Sequence, residues 1–143
     1  METKRLFVDT WGWLVLANDR DPAFATVARI RAAAAVQSGA WVTTDYVLDE
    51  TMTRLFMETS FATARRFCEG IFEASRGGVL DIEHVTPERF SSAWRLRRRY
   101  DDKPRISFTD LTSFTVMHEL GLRYVLTGDA HFDHAGPGFV RLP

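Results

Sequence analysis

The chain alternates between apolar runs of strand length and longer stretches in which apolar residues recur at helical spacing. Residues 5–9, "RLFVD", form a short apolar run stopped by Asp9, the pattern of a buried strand. A helix follows near Trp11, and a second is predicted to open at Asp21 with Pro22 behind it and to stop at Gly39. "AWVTT" at 40–44 reads as a strand that runs into "DYVLDETMTRLFME", where Val47, Leu48, Met52 and Leu55 share a helical face. Ser60 opens the next helix, and Gly77 and Gly78 close it. "VLDIEHV" at 79–85 alternates as a strand does, and Thr86 with Pro87 starts another helix. Residues 107–121 are helical up to Gly121, 123–127 form a strand, and "GFVRL" at 138–142 forms a last short one. Strands alternating with helices, with no tight hairpin between them, predict an α/β domain with a central parallel sheet flanked by helices.

Composition changes this picture little. Hydrophobic residues make up 45% and charged residues 26% of 143 positions, with no repeat or linker, so residues 1–143 are expected to form a single domain. A formal net charge of −1 excludes whole-molecule attraction to nucleic acid or membrane; any such partner must be met by a local patch. The lone cysteine, Cys68, excludes an internal disulfide and a thiolate zinc site. A reducing, cytoplasmic location and no membrane partner are expected, because neither a signal peptide nor a run of about 20 apolar residues is present.

The chemistry lies in the acids. Asp9 ends the first strand, Glu50 falls early in the helix after the second, Asp110 lies in the first turn of the 107–121 helix, and Asp129 follows the strand ending at Thr127. Each has a structural explanation taken singly: Asp9 as a helix cap, Ser107 and Asp110 as a capping box, Asp129 as a turn former. In a parallel sheet, however, strand ends and helix starts gather at one edge. Carboxylates packed there repel one another and raise their own pKa values unless a cation neutralises them. Oxygen ligands without cysteine favour Mg²⁺ or Mn²⁺, which points to phosphoryl or phosphodiester chemistry.

"LFVDTWGWLVLAN", "TTDYVLDET", "SFTDLTSFTVMHELG" and "LTGDAHFDHAG" resemble, in order, the acidic motifs of PIN-domain ribonucleases, and most closely the VapC-type toxins of toxin–antitoxin pairs. The resemblance spans Leu6 to Leu142 and implies a PIN-like α/β fold, metal-dependent cleavage of RNA, a cognate antitoxin protein and frequent homodimers. It assigns catalytic and metal-binding roles to Asp9, Glu50, Asp110 and Asp129. Asp9 and Asp110 would be direct ligands of Mg²⁺ or Mn²⁺, with Glu50 and Asp129 completing the site. Gly128 stands where many relatives carry a larger residue, and Asp133 competes with Asp129 for the last acidic role. Ser107 or Thr109 would position a water or a carboxylate, with capping the stronger role for Ser107.

Several other features remain open at this level. "WRLRRRYDDKPR" offers Arg97, Arg98, Arg99, Lys103 and Arg105 as an RNA-binding run, against the reading of a solvated helix face. His131 and His134 have zinc-like spacing but lack two further ligands; packing of a turn is the expected role of His131, and structural or surface roles are expected of His84 and His118. The aromatic residues Trp11, Trp13, Phe56, Phe61, Phe67 and Phe72 are read mostly as core, with some forming a groove for an antitoxin helix or a dimer partner. A haloacid-dehalogenase-like phosphatase is disfavoured because Trp11 occupies the position of its second aspartate. The rival from another class is a catalytically silent RNA- or protein-binding module with the same fold.

Overall fold

The computed structural model of the protein describes residues 5–34, 41–133 and 138–143. Five strands, β1 (Leu6–Val8), β2 (Trp41–Thr44), β3 (Leu80–Glu83), β4 (Tyr124–Leu126) and β5 (Val140–Leu142), form one sheet in the order β3-β2-β1-β4-β5. All four pairings are parallel, with Phe7 opposite both Val42 and Val125. Among the described residues six helices connect them: α1 (Thr10–Leu16), α2 (Phe24–Ala34), α3 (Asp45–Glu58), α4 (Phe61–Arg76), α5 (Pro87–Arg99) and α6 (Phe108–Leu120). A 3-10 turn at Ala130–Asp133 lies between β4 and β5. The α/β fold with a parallel central sheet is therefore as the sequence predicts.

All seven residues of β1 and β2 are buried, which explains the apolar run of β1 and the buried threonine pair that ends β2. The buried threonines are satisfied: the Thr43 hydroxyl donates to the Val8 carbonyl at 2.9 Å and accepts from Trp13 Nε1 at 3.2 Å. Four helices start where capping residues stand. The side chains of Thr44, Ser60, Thr86 and Ser107 accept from the backbone N–H of Val47, Thr63, Arg89 and Asp110. Gly121 ends α6 at φ +68°, a conformation that favours glycine.

Two boundaries depart from expectation. The helix expected from Asp21 begins at Phe24, because the Asp21 carboxylate accepts from Ala23 N–H and holds a turn there. Its expected stop at Gly39 lies outside the described residues. The strand expected over 79–85 ends at Glu83, since Val85 N–H leaves the ladder and donates to Asp45 Oδ1 at 2.9 Å.

The topology positions the site. From the central β1 the chain winds outward through β2 and β3, then returns to the other side of β1 for β4 and β5. Strand order thus reverses between β1 and β4, where a crevice opens at their carboxyl ends.

Candidate active site

Asp9 leaves β1 at that crevice, next to the edge where β4 ends. It occupies the N-cap position of α1 in extended conformation, yet its side chain makes no capping bond. Its Oδ2 instead accepts from the Thr127 hydroxyl at 2.8 Å, a contact between residues 118 positions apart. The same Thr127 oxygen accepts from Asp129 N–H at 3.0 Å, so one buried hydroxyl fixes both acids across the β1–β4 gap. Asp110 comes from the first turn of α6. Its capping box with Ser107 is real, with Ser107 Oγ accepting from Asp110 N–H at 3.0 Å, and the carboxylate faces the cleft as well. The capping reading and the functional one hold together for Asp110; for Asp9 the capping reading fails.

Asp9, Asp110 and Asp129 line one cleft of about 980 Å³. Glu50, exposed on α3, lines the same cleft, as do Ser107 and Arg105. Burial, together with the charges of Asp110 and Asp129, pushes the Asp9 carboxyl up to about 7 against the pull of the Thr127 hydrogen bond. Burial also raises Asp110, opposed first by its hydrogen bond to His131. Both carboxyls are raised mainly by burial, and a cation beside them would relieve the repulsion that adds to it.

His131 is the residue that sequence reasoning misplaced. The expectation that it only packs a turn is met by its neighbour: Phe132 is fully buried, edge-on to Phe114 with ring centroids 4.9 Å apart. The His131 ring itself turns into the acids, with Nδ1 3.1 Å from Asp110 Oδ2 and 3.2 Å from Asp129 Oδ1. The cause is local: Asp129 Oδ1 accepts from His131 N–H at 2.8 Å, a turn that folds the chain back over its own aspartate. Among the described residues, Asp110, Asp129 and His131 form a group whose donor atoms all lie within 4.8 Å of one another. Asp9 and Glu50 belong to the cleft but not to that tight group. His134, the other half of the zinc-like pair, lies outside the described residues.

Asp133 is exposed and pairs with Arg141 at 2.9 Å, outside the residues lining the cleft, so Asp129 is the acid that faces it. Thr109 does not line the cleft; its carbonyl accepts from the Thr112 hydroxyl at 2.6 Å. Arg97 donates to the carbonyls of Ile106, Tyr100 and Lys103 at 2.6–2.7 Å, which ties down the loop before α6. Lys103 pairs with Asp102 at 3.1 Å. Arg98 and Arg99 are exposed at the end of α5 and do not line the cleft, whereas Arg105 does. Gly128 is explained by Trp11, since a Cβ at 128 would lie 2.7 Å from the indole Nε1.

The donor set suits a hard divalent cation: carboxylates on three separate segments, buried enough to repel one another, with no cysteine nearby. The PIN domain profile matches residues 6–136. The chain belongs to the PIN domain family; it is a nuclease, an enzyme of the hydrolase class, and nucleases of this family generally use divalent metals. Relatives from two strains of Mycobacterium tuberculosis, each described as the 23S rRNA-specific endonuclease VapC20, are 31% identical over 131 residues, covering 92% of this chain and 94% of theirs. The crystal structure of M. tuberculosis VapC20, described as a sarcin-ricin loop cleaving toxin, superposes with a TM-score of 0.77 at 32% identity, covering 94% of this chain and 96% of that one. The VapBC2 structure from Rickettsia felis, bound to a fragment of promoter DNA, shares the fold alone: TM-score 0.69, 14% identity, 96% of each chain.

Proposed function

We propose that the chain is an Mg²⁺- or Mn²⁺-dependent endoribonuclease that acts as the toxin of a toxin–antitoxin pair. The observation that carries this is the meeting of Asp9, Asp110 and Asp129, from three distant segments, in one cleft at the β1–β4 switch point with Glu50 on its wall. Asp9 and Asp110 are the direct cation ligands in this reading, and Asp129 and Glu50 complete the set. When bound, the cation supplies an acidified water and offsets the charge of a phosphodiester.

The chain's own groups hold that arrangement. The Thr127 hydroxyl fixes the rotamer of Asp9, the Ser107 cap fixes Asp110, and the turn at His131 fixes Asp129. Arg105 offers the cleft a guanidinium for a substrate phosphate. Hydrolysis leaves a 5′-phosphate and a 3′-hydroxyl. The proposed substrate is ribosomal RNA, on the strength of the substrate named for the M. tuberculosis relatives. An exposed loop in that RNA would be read by its shape and its unstacked bases.

The proposed antitoxin docks on the apolar surface of α3 and α4. There Met57 is 79% and Phe61 70% exposed, and the rings of Phe56 and Phe61 lie 5.2 Å apart. A homodimer and a cytoplasmic location complete the proposal. Among the described residues no helix is long and apolar enough to cross a membrane.

The test is cleavage of ribosomal RNA by antitoxin-free protein in Mg²⁺, in Mn²⁺ and in EDTA, beside Asp9→Asn and Asp110→Asn. The expected result is cleavage that requires metal and falls at least about a hundredfold in both variants, the scale of losing a charge-stabilising group at a reacting centre. Intact RNA in every lane, from folded wild-type protein, would favour a silent binding module instead.

A further inference from the structure

The cleft contains one group that a purely carboxylate site does not require. His131 Nδ1 stands 3.1 Å from Asp110 Oδ2 and 3.2 Å from Asp129 Oδ1. A ring nitrogen carries at most one proton, so it cannot donate fully to both oxygens. The ring's position is nonetheless built rather than incidental. Its backbone N–H is bonded to the Asp129 carboxylate at 2.8 Å, and the next residue, Phe132, anchors the turn in the core.

We infer that His131 is a nitrogen ligand of the cation site and that it biases the site toward transition cations such as Mn²⁺ and away from Mg²⁺. This rests on the nuclease reading above and deepens it. The spacing of the donors supports it. His131 offers a ring nitrogen and Asp110 and Asp129 each a carboxylate oxygen, and these three donor atoms all lie within 4.8 Å of one another, close enough to share one cation. The chemistry of the donor points the same way. Imidazole nitrogen is a softer ligand than carboxylate or water, and sites containing it bind first-row transition metals in preference to Mg²⁺. The other role open to the ring is to orient Asp110 through a hydrogen bond without touching the ion, and the two roles give different signals.

The experiment is pulsed electron paramagnetic resonance on the full chain loaded with Mn²⁺, prepared with natural-abundance and with ¹⁵N-labelled histidine. A parallel titration measures Mn²⁺ and Mg²⁺ affinities of the wild type and His131→Gln. The expected result is nitrogen modulation on Mn²⁺ that changes with the isotope and disappears in His131→Gln. Mn²⁺ affinity of that variant is expected to fall about tenfold or more, the scale seen when the shell around a metal is disturbed, while Mg²⁺ affinity changes much less. The isotope comparison uses the unmutated chain, so it stands even where the variant folds poorly. Bound Mn²⁺ without histidine nitrogen modulation would overturn the ligand role and leave the nuclease reading intact. Modulation that persists in His131→Gln would overturn it too, by assigning the nitrogen to another histidine. Failure of the wild type to bind either ion would overturn both this inference and the reading it rests on.

Discussion

The carboxyl cluster at the ends of β1 and β4 and the basic stretch from Arg95 to Arg105 both concentrate charge, and the chain treats them in opposite ways. The acids are far apart in sequence and meet only when the sheet forms; Asp9 and Thr127 touch across 118 positions. Burial first, and then the charges of Asp110 and Asp129, drive the Asp9 carboxyl up to about 7. The basic residues are neighbours in sequence and find partners close by. Arg97 is consumed by three carbonyls of the loop that follows it, and Lys103 by the adjacent Asp102. Charge that folding assembles is left for a ligand, whereas charge that sequence assembles is largely settled before the tertiary structure matters.

The strongest way to break this contrast is through Asp9. Its folded pKa, about 7, lies above the ordinary 3.8, so between these values the metal-free native state keeps a proton that the unfolded chain has released. Stability therefore falls as pH rises from about 4 to about 7 and levels off above that, by up to about 4 kcal/mol. Asp9→Asn removes the titrating group, so in EDTA it should unfold at higher urea than wild type at pH 8 and show a flatter profile. Adding Mn²⁺ at pH 8 should stabilise the wild type more than the variant. Parallel urea curves for the two proteins from pH 5 to pH 8 would mean that Asp9 is already neutralised within the chain.

Arg97 tests the other region. Removing a partly buried guanidinium that donates to three carbonyls leaves those acceptors without partners, and Arg97→Ala should cost about 2–3 kcal/mol in urea denaturation. Arg97→Lys should recover only part of this, since an ammonium cannot reproduce the planar fork. RNA affinity of the folded fraction should be unchanged. Unaltered stability with weakened RNA binding would instead return Arg97 to the substrate surface.

Much of this was visible in the sequence, for identifiable reasons. Strand ends and helix starts are marked by short-range signals: apolar runs, Ser60, Thr86 and Ser107 as caps, and Gly121 as a stop. The four acids that line the cleft fall at or near such element ends, which is what singled them out. His131 was not, because its direction depends on a turn closed by the carboxylate of Asp129 rather than on any periodicity. Thr127 looked like the end of a strand; its hydroxyl acquires a role only when β4 pairs with β1. The choice between Asp129 and Asp133 was open because both flank a single 3-10 turn, and the outcome depends on Arg141 arriving with β5 to pair with Asp133. The carbonyl partners of Arg97 were not visible, because they belong to a loop whose path the sequence does not specify.

The smallest expected effect sharpens the comparison within the basic stretch itself. Arg98, Arg99 and Arg105 are all exposed, but only Arg105 lines the cleft. Substituting any of the three by Ala should change stability by less than about 0.5 kcal/mol, as exposed sites do. Their effects on RNA should separate. A guanidinium in contact with a phosphate contributes to the dependence of binding on salt, whereas a solvated one does not. Arg105→Ala should lower the slope of log affinity against log salt by about one, and Arg98→Ala and Arg99→Ala should leave it nearly unchanged. Binding is best measured with uncleaved RNA on an Asp110→Asn background, so that turnover does not distort the slopes. Equal slope changes in all three would show that RNA runs along α5 as well as through the cleft, and that sequence-local charge here also serves the ligand.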